Sequence, residues 1–141
     1  MKQGLSRTAR KIHIVVNYAS LVLLMILFYM GKYYLGWSSV LISALAAAFV
    51  LTLVTFIRVH IRTGLWKLTH TKVEELDERE IQVTHESLRH SYSILSVILL
   101  VIILTMASID MDIYSHFLPA SLIYFAHTLP SSVIAWTEKE V

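Results

Sequence analysis

Histidine is the residue type best placed to do chemistry in this chain, which has seven histidines and no cysteine. In "HESLRH", His85 and His90 are five residues apart, or about 140° around a helix, so they do not share one face as the zinc motif H-E-x-x-H requires. Without cysteine there is no thiolate metal site, disulfide or cysteine nucleophile. The sequence also has no P-loop, Gly-x-Ser-x-Gly, CxxC or dinucleotide motif. We therefore predict no metal, no cofactor and no enzymatic activity.

A second set of candidate residues is polar but lies in apolar surroundings. His127 is deep in an apolar segment, where ionisable groups are rare and often functional. His116 precedes it by about three helical turns and Asp112 lies one turn earlier, so the three share nearly one face. Asn17, in another apolar segment, is a candidate hydrogen-bond partner. One interpretation is a path for a proton, metal or substrate; the favoured one is a structural histidine bonded to a carbonyl or hydroxyl group of the bundle.

The elements that must position these residues are long apolar helices. The apolar fraction of 56% exceeds the globular norm of about 45–50%. Four windows approach the roughly 20 residues that a helix needs to cross a bilayer, at about 14–34, 40–59, 92–109 and 113–136. In hydrocarbon such segments must be helical, because other open structures leave backbone groups unpaired. We predict one all-α integral membrane domain, residues 1–141, forming a four-transmembrane-helix bundle in the lipid bilayer.

The positive charges predict an orientation. Ten of the twelve Lys and Arg residues lie before the first window, between the second and third, or after the fourth. Arg58 lies at the end of the second window, on the same side, so Lys32 is the exception. Because cytoplasmic segments carry the excess of Lys and Arg, we expect both termini and the connection 60–91 to be cytoplasmic.

The cytoplasmic connection carries local signals for helix ends. Gly64 is suited to end the second helix, since glycine often takes the left-handed position there. Thr71 and Glu74 match the S/T-x-x-E capping box, which predicts a helix from about Lys72. Nothing breaks that helix before about residue 109, a length of about 57 Å against a bilayer core of about 30 Å. We therefore expect span three to extend into the cytoplasm.

The extension carries a candidate partner-binding face. An arc of about 160° holds its apolar side chains and is interrupted by polar residues. The apolar residues of the arc are Val73, Leu76, Ile81, Val83 and Leu88, and the interruptions include Glu80 and Ser87. The favoured interpretation is a solvated helix that rests on the short helix before it, and the alternative is a seam for a partner. The residues of this face are Val73, Leu76, Glu80, Val83 and Ser87.

Span two carries small residues at helical spacing. Ser39, Ser43 and Ala47 recur every four residues, as do Ala44 and Ala48. Small residues at this spacing let membrane helices approach closely. They indicate packing, either within the chain or between copies.

The stretch "LDEREIQVTHESLRHSYSILSVILL" resembles small, uncharacterised prokaryotic integral membrane proteins. In these a "DER" helix on the cytoplasmic side precedes a span, with a Ser-Tyr or Ala-Tyr pair at the membrane edge. Asp77, Glu78 and Arg79 match the first element, and Ser91 and Tyr92 the second. The resemblance covers about 25 residues. It implies an integral protein of a prokaryotic cytoplasmic membrane and carries no activity.

Two functions follow as expectations. The first is a non-enzymatic integral membrane scaffold or accessory subunit that binds a partner through its charged cytoplasmic helix. The second is a small homo-oligomeric transporter or channel-like protein that uses the histidine face of span four. The net charge of +2 gives no reason to expect nucleic acid as a partner.

Overall fold

The computed structural model describes residues 5–108 and 117–138, and the regular elements of this part of the chain are all helices, without strands. The predicted all-α class is confirmed. Helices α1 and α2 each continue into a π turn, Gly31–Leu35 and Ile57–Ile61, and a 3-10 turn covers Val73–Glu75. The helices are α1 (Arg7–Met30), α2 (Ser39–Phe56), α3 (Leu65–His70), α4 (Glu78–Ser108) and α5 (Phe117–Thr137).

Three described helices are long and apolar enough to cross a membrane: Arg7–Leu35, Ser39–Ile61 and Phe117–Thr137. They correspond to the first, second and fourth predicted windows, and they are compatible with an integral membrane protein. The first begins well before residue 14, because the Ser6 hydroxyl accepts a bond from the Ala9 N–H and caps the helix. Residues 113–116 of the fourth window lie outside the described residues.

Helices α1 and α2 form an antiparallel pair. Asn17 meets Thr55 and Ser20 meets Thr52, so the contacts on α2 move backwards as those on α1 move forwards. The buried positions recur with a seven-residue period, the spacing of helices that cross at about +20°. They include Arg10, Asn17, Leu24 and Gly31 before the hairpin, and Leu41, Ala48 and Thr55 after it.

Gly31 is buried at the hairpin end of the α1–α2 pair. A Cβ on Gly31 would lie 2.6 Å from Leu41 Cδ2 and 3.0 Å from the Trp37 ring. A side chain at this position would therefore require Leu41 or Trp37 to shift.

Helix α5 packs against α1, whereas α4 packs mainly against α5. A small apolar core lies where α1 begins and α5 ends. Tyr18, Leu68 and Val83 pack around it. Its buried members are Ile14, Val59, Leu65, Ile134 and Ala135.

The connection between α2 and α4 confirms one local prediction and corrects another. Gly64 is left-handed, with φ of 81°, as predicted. The Thr71 capping box is wrong, because the Thr71 hydroxyl donates backwards to Lys67 O at 2.7 Å. The box forms instead at Asp77 and Glu80: the Asp77 carboxylate accepts from Glu80 N at 2.7 Å, and the Glu80 carboxylate accepts from Asp77 N at 3.1 Å.

Helix α4 therefore begins at Glu78 rather than Lys72 and runs without a break to Ser108. Its 31 residues correspond to about 46 Å. The charged segment 78–90 and the uncharged segment 91–108 therefore belong to one helix.

Candidate functional site

Asn17 is the centre of a buried polar network that joins three helices. Its side chain is 1% exposed. The amide nitrogen donates to Thr52 O and to Thr55 Oγ1 on α2, both at 2.9 Å. The amide oxygen accepts from the Tyr124 hydroxyl on α5 at 3.0 Å. Ser20 extends the network through a 2.8 Å bond to the Thr52 hydroxyl, so one amide fixes the rotation of α1, α2 and α5 relative to one another.

Tyr18 forms a second tie between α1 and α5. Its hydroxyl lies 2.8 Å from Ser132 Oγ and 3.3 Å from Thr128 Oγ1. Because the Ser132 hydroxyl donates to Thr128 O at 2.9 Å, Ser132 accepts from Tyr18. The Tyr18 ring packs on Phe125, with the ring centroids 4.8 Å apart. Tyr18 and Asn17 thus bind α5 from adjacent positions of one helix.

His60 is the fully buried histidine of the network, with no exposed surface. It lies in the π turn after α2, in which Arg62 N donates to Ile57 O, five residues earlier. Its Nδ1 is 2.8 Å from Ser131 Oγ on α5. Since the Ser131 hydroxyl donates to Thr128 O, His60 Nδ1 is the donor in that contact. The Nε2 atom is buried and has no hydrogen-bond partner among the described residues.

The chemistry of this network is structural. Its members are hydroxyl, amide and imidazole groups that bond to one another in an apolar interior. Interhelical bonds of this kind contribute about 0.6 kcal/mol each on average, and up to about 1.7. No group of three His, Asp or Glu side chains among residues 5–108 and 117–138 is arranged to hold a metal ion.

Charged side chains gather where α1 begins. Arg7 donates to Thr137 O at 3.2 Å and Arg10 donates to Glu138 O at 3.0 Å. These carbonyls lie at the C-terminal end of α5, where no later turn of the helix supplies donors. The Arg79 guanidinium lies 3.4 Å from the Glu138 carboxylate, which joins the start of α4 to the same place. The starts of α1 and α4 and the end of α5 therefore lie together; we call this the charged end.

His127, the predicted polar site of span four, is exposed and does not face the network. Its Nδ1 is 3.0 Å from Ile123 O of its own helix. It lines a cleft of about 280 Å³ between α3, α4 and α5, together with His70. Asn17 bonds to Tyr124 instead, so the structure does not bring Asn17 and His127 together. His116 and Asp112 lie outside the described residues.

The predicted partner-binding residues mostly serve the fold of this chain. Val73 is exposed in the 3-10 turn, and Leu76 is half-buried just before α4. The Glu80 carboxylate caps α4, and Val83 packs on the apolar core. Ser87 is buried and donates to Thr84 O. Binding of a partner by this face stays a prediction.

The small residues of α2 divide into two groups. Ala48 is buried in the bundle and Ala44 is half-buried. Ser39, Ser43 and Ala47 are exposed on another side of the helix. The first group packs within the chain, and the second forms a small-residue stripe on the bundle surface.

Sequence reasoning missed most of the network. His60 lies one residue after the second window, and Tyr18, Tyr124 and Ser131 look like ordinary residues of apolar segments. The seven-residue period places Asn17 in line with Arg10 and Leu24, but it does not mark these four residues. Comparison of the chain with family models, with curated proteins and with solved structures gives no match.

Proposed function

We propose that the chain crosses the membrane four times, with α4 as the third crossing. Asn17 and Ser20 contact α2 in antiparallel order. Helix α5 is also antiparallel to α1. Arg7 at the start of α1 bonds to Thr137 at the end of α5. Phe28 near the end of α1 stacks on Phe117 at the start of α5. Helices α2 and α5 therefore run in the same direction.

A chain that crosses twice in one direction must return between those crossings. Helix α4 lies between them and has no Asp, Glu, Lys, Arg or His from Ser91 to Ser108. Its length of about 46 Å exceeds the roughly 30 Å of the bilayer core, which leaves its first turns outside.

The charged end is then the cytoplasmic side. It holds Arg7 and Arg10, and the Lys- and Arg-rich connection reaches it through Arg79. The opposite hairpin carries Lys32 as its one basic residue. The positive-inside rule assigns the basic side to the cytoplasm, with both termini there. The resemblance to prokaryotic membrane proteins supports the cytoplasmic membrane of a prokaryote as the location.

The function we infer is that of a non-enzymatic scaffold or accessory subunit, which presents the cytoplasmic part of α4 to a partner. The observation that supports it is that the two sides of this segment differ. One side is seated on the bundle through Val83, Thr84 and Ser87. The other side is exposed and charged, and consists of Glu78, Gln82, His85, Glu86 and Arg89. We call this the outward face.

Two properties suit the outward face to binding. It is already ordered by the Asp77–Glu80 capping box and by packing, so binding does not bear the cost of folding a helix. Its charges have both signs, and a partner with the complementary pattern is favoured over one with the wrong pattern. The sequence placed the binding face on Val83 and Ser87; the proposal moves it to the opposite side of the same helix.

Photo-cross-linking in cells tests this proposal. A photoreactive amino acid at Gln82 should give one discrete adduct of a different protein. The same group at Trp37, on the opposite hairpin, is the control and should not give that adduct. Combining Glu86→Lys with Arg89→Glu should abolish the adduct and leave the protein level unchanged, because both side chains are exposed. No adduct at Gln82, or one that survives the charge reversal, contradicts the proposal.

A small homo-oligomeric transporter or channel-like protein is the second candidate. The exposed small-residue stripe favours it, since Ser39, Ser43 and Ala47 allow a second copy to approach closely. A photoreactive group at Ala47 should then give adducts at multiples of the chain mass. Reconstituted vesicles should also show proton or ion flux that depends on His127. If the irradiated protein runs only at the mass of one chain and the vesicles show no flux, this candidate is wrong.

A further inference from the structure

Helix α4 leaves a furrow between itself and α1, with α5 as the floor. The furrow has a volume of about 410 Å³. Ile14 and Tyr18 line it from α1, Ile94 from α4, and Leu129 and Val133 from α5. Helix α4 packs mainly on α5, so the described part of the chain leaves the space between α1 and α4 open to the side. In a bilayer an open apolar furrow is occupied by hydrocarbon or by protein, since an empty one forfeits its dispersion contacts.

The hydroxyl groups in the walls of the furrow do not need hydrogen bonds from an occupant. The hydroxyl groups that line the furrow already have partners: Tyr18 and Ser132 bond to each other at 2.8 Å, and Thr137 donates to Val133 O at 2.9 Å. Ser132 also donates to Thr128 O. The remaining surface near them is aliphatic, so this part of the furrow suits an acyl chain.

The mouth of the furrow lies at the charged end and is basic and aromatic. Trp136, in the last turn of α5, lines it and is 43% exposed. Lys11 Nζ lies 4.6 Å from the centroid of the Trp136 ring. His90 stands on the α4 wall. Tryptophan and lysine are the residues that anchor proteins at the level of lipid headgroups.

The acids near the mouth do not cancel this positive charge. The Glu138 carboxylate is paired with Arg79 at 3.4 Å. Glu86 is exposed and lies one turn before His90 on α4. Arg7, bonded to Thr137 O, adds a further cation at the end of α5. Basic pockets between membrane helices on the cytoplasmic side bind anionic headgroups.

We propose that the furrow binds one anionic glycerophospholipid of the adjacent leaflet. One acyl chain lies between α1 and α4, and the phosphate sits at the level of Lys11 and Trp136. The inference rests on the proposed membrane placement, but not on the proposed partner, whose test has a separate readout.

Fluorescence quenching tests the lipid site directly. The measurement uses Trp37→Phe/Trp66→Phe protein, so that Trp136 is the only tryptophan, in nanodiscs that contain dibrominated phosphatidylglycerol or dibrominated phosphatidylcholine. Half-maximal quenching should require about fivefold less phosphatidylglycerol, as expected for one basic group near the headgroup. Lys11→Gln should remove that difference. Equal quenching by both lipids overturns the anionic site, as does a preference that persists in Lys11→Gln.

Filling the furrow tests where the acyl chain lies. Ile94→Phe enlarges a side chain of the α4 wall, whereas Leu100→Phe changes another exposed α4 residue that does not line the furrow. The first should weaken quenching by phosphatidylglycerol several-fold, and the second should not. Identical curves for the two variants overturn the furrow as the site. So does the absence of quenching by either lipid in a protein that runs as a dimer, since a second copy then fills it.

Discussion

The α1–α2–α5 unit and helix α4 contain similar polar side chains, but they use them differently. In the three-helix unit, Asn17, Tyr18 and His60 bond across helices. On α4, Ser91, Ser93 and other hydroxyl groups bond to carbonyls of their own helix, three or four residues earlier. Among the described residues, the polar tie of α4 to the end of α5 is the exposed Arg79–Glu138 pair.

This contrast shows that polar content does not by itself fix a membrane helix. A bond across helices specifies one rotation and one register, because shifting either helix leaves both groups unpaired. A bond to the same helix moves with that helix and specifies nothing. We therefore expect the three-helix unit to be rigid and α4 to be the helix that shifts most easily.

The largest predicted effect is at Asn17. Asn17→Leu removes three bonds across helices and leaves Tyr124 unpaired, so it should destabilise the protein by about 2–4 kcal/mol. Ser93→Ala, which removes a bond within α4, is the control and should cost less than about 0.5 kcal/mol. Unfolding in mixed detergent micelles measures both. Similar losses of stability in Asn17→Leu and Ser93→Ala would contradict the difference between the three-helix unit and α4.

Two adjacent alanines give the next test. Ala48 is buried between helices and Ala47 is exposed. Ala48→Leu should therefore cost about 1–3 kcal/mol through overpacking, whereas Ala47→Leu should be nearly neutral for the monomer. The same unfolding assay applies. A loss of oligomer on gel filtration for Ala47→Leu alone would show that the exposed stripe joins copies.

His60 and His127 should differ in a smaller but measurable way. His60→Phe removes the bond to Ser131 and should cost about 1–2 kcal/mol, partly offset by aromatic packing. His127→Phe affects only a bond to its own helix and should cost less than about 0.5 kcal/mol. A reversed order would mean that His127 has an interhelical partner, as its place in the sequence first suggested.

The smallest effect is expected at the ion pair that joins α4 to the end of α5. Arg79 and Glu138 are 69% and 28% exposed, so Arg79→Gln should cost less than about 0.5 kcal/mol and even less at high salt. Spin labels on α4 and α5 should nevertheless show a broader distance distribution in this variant. An unchanged distribution would show that apolar packing alone positions α4.

Local sequence signals and overall hydropathy were sufficient to predict part of this structure. Long apolar windows predicted three of the helices, and Gly64 predicted the left-handed turn. The capping box was misplaced because Thr71 and Asp77 both precede an acid by three residues. The choice between them depends on whether the helix before Thr71 captures its hydroxyl, as Lys67 O does.

The candidate site was less predictable because it depends on contacts between distant helices. His127 stands nearer the middle of an apolar window than His60, which favoured it as the buried histidine. The π turn reverses that order. It takes in one more residue per turn, so both Val59 and His60 face the interior. Nothing in the local sequence marks that turn.

If the chain is placed in the membrane as proposed, the double role of Asn17 imposes an order on biosynthesis. Its amide nitrogen finds both acceptors on α2, 35 and 38 residues later, soon after the first hairpin leaves the translocon. The donor for its amide oxygen, Tyr124, is synthesised 107 residues later. A nascent chain released before α5 therefore holds an unpaired carbonyl in lipid, beside the Tyr18 hydroxyl that also lacks its partners. Such a chain differs from the finished protein in a way that membrane quality control can read, and proteolysis of truncated chains should depend on Asn17.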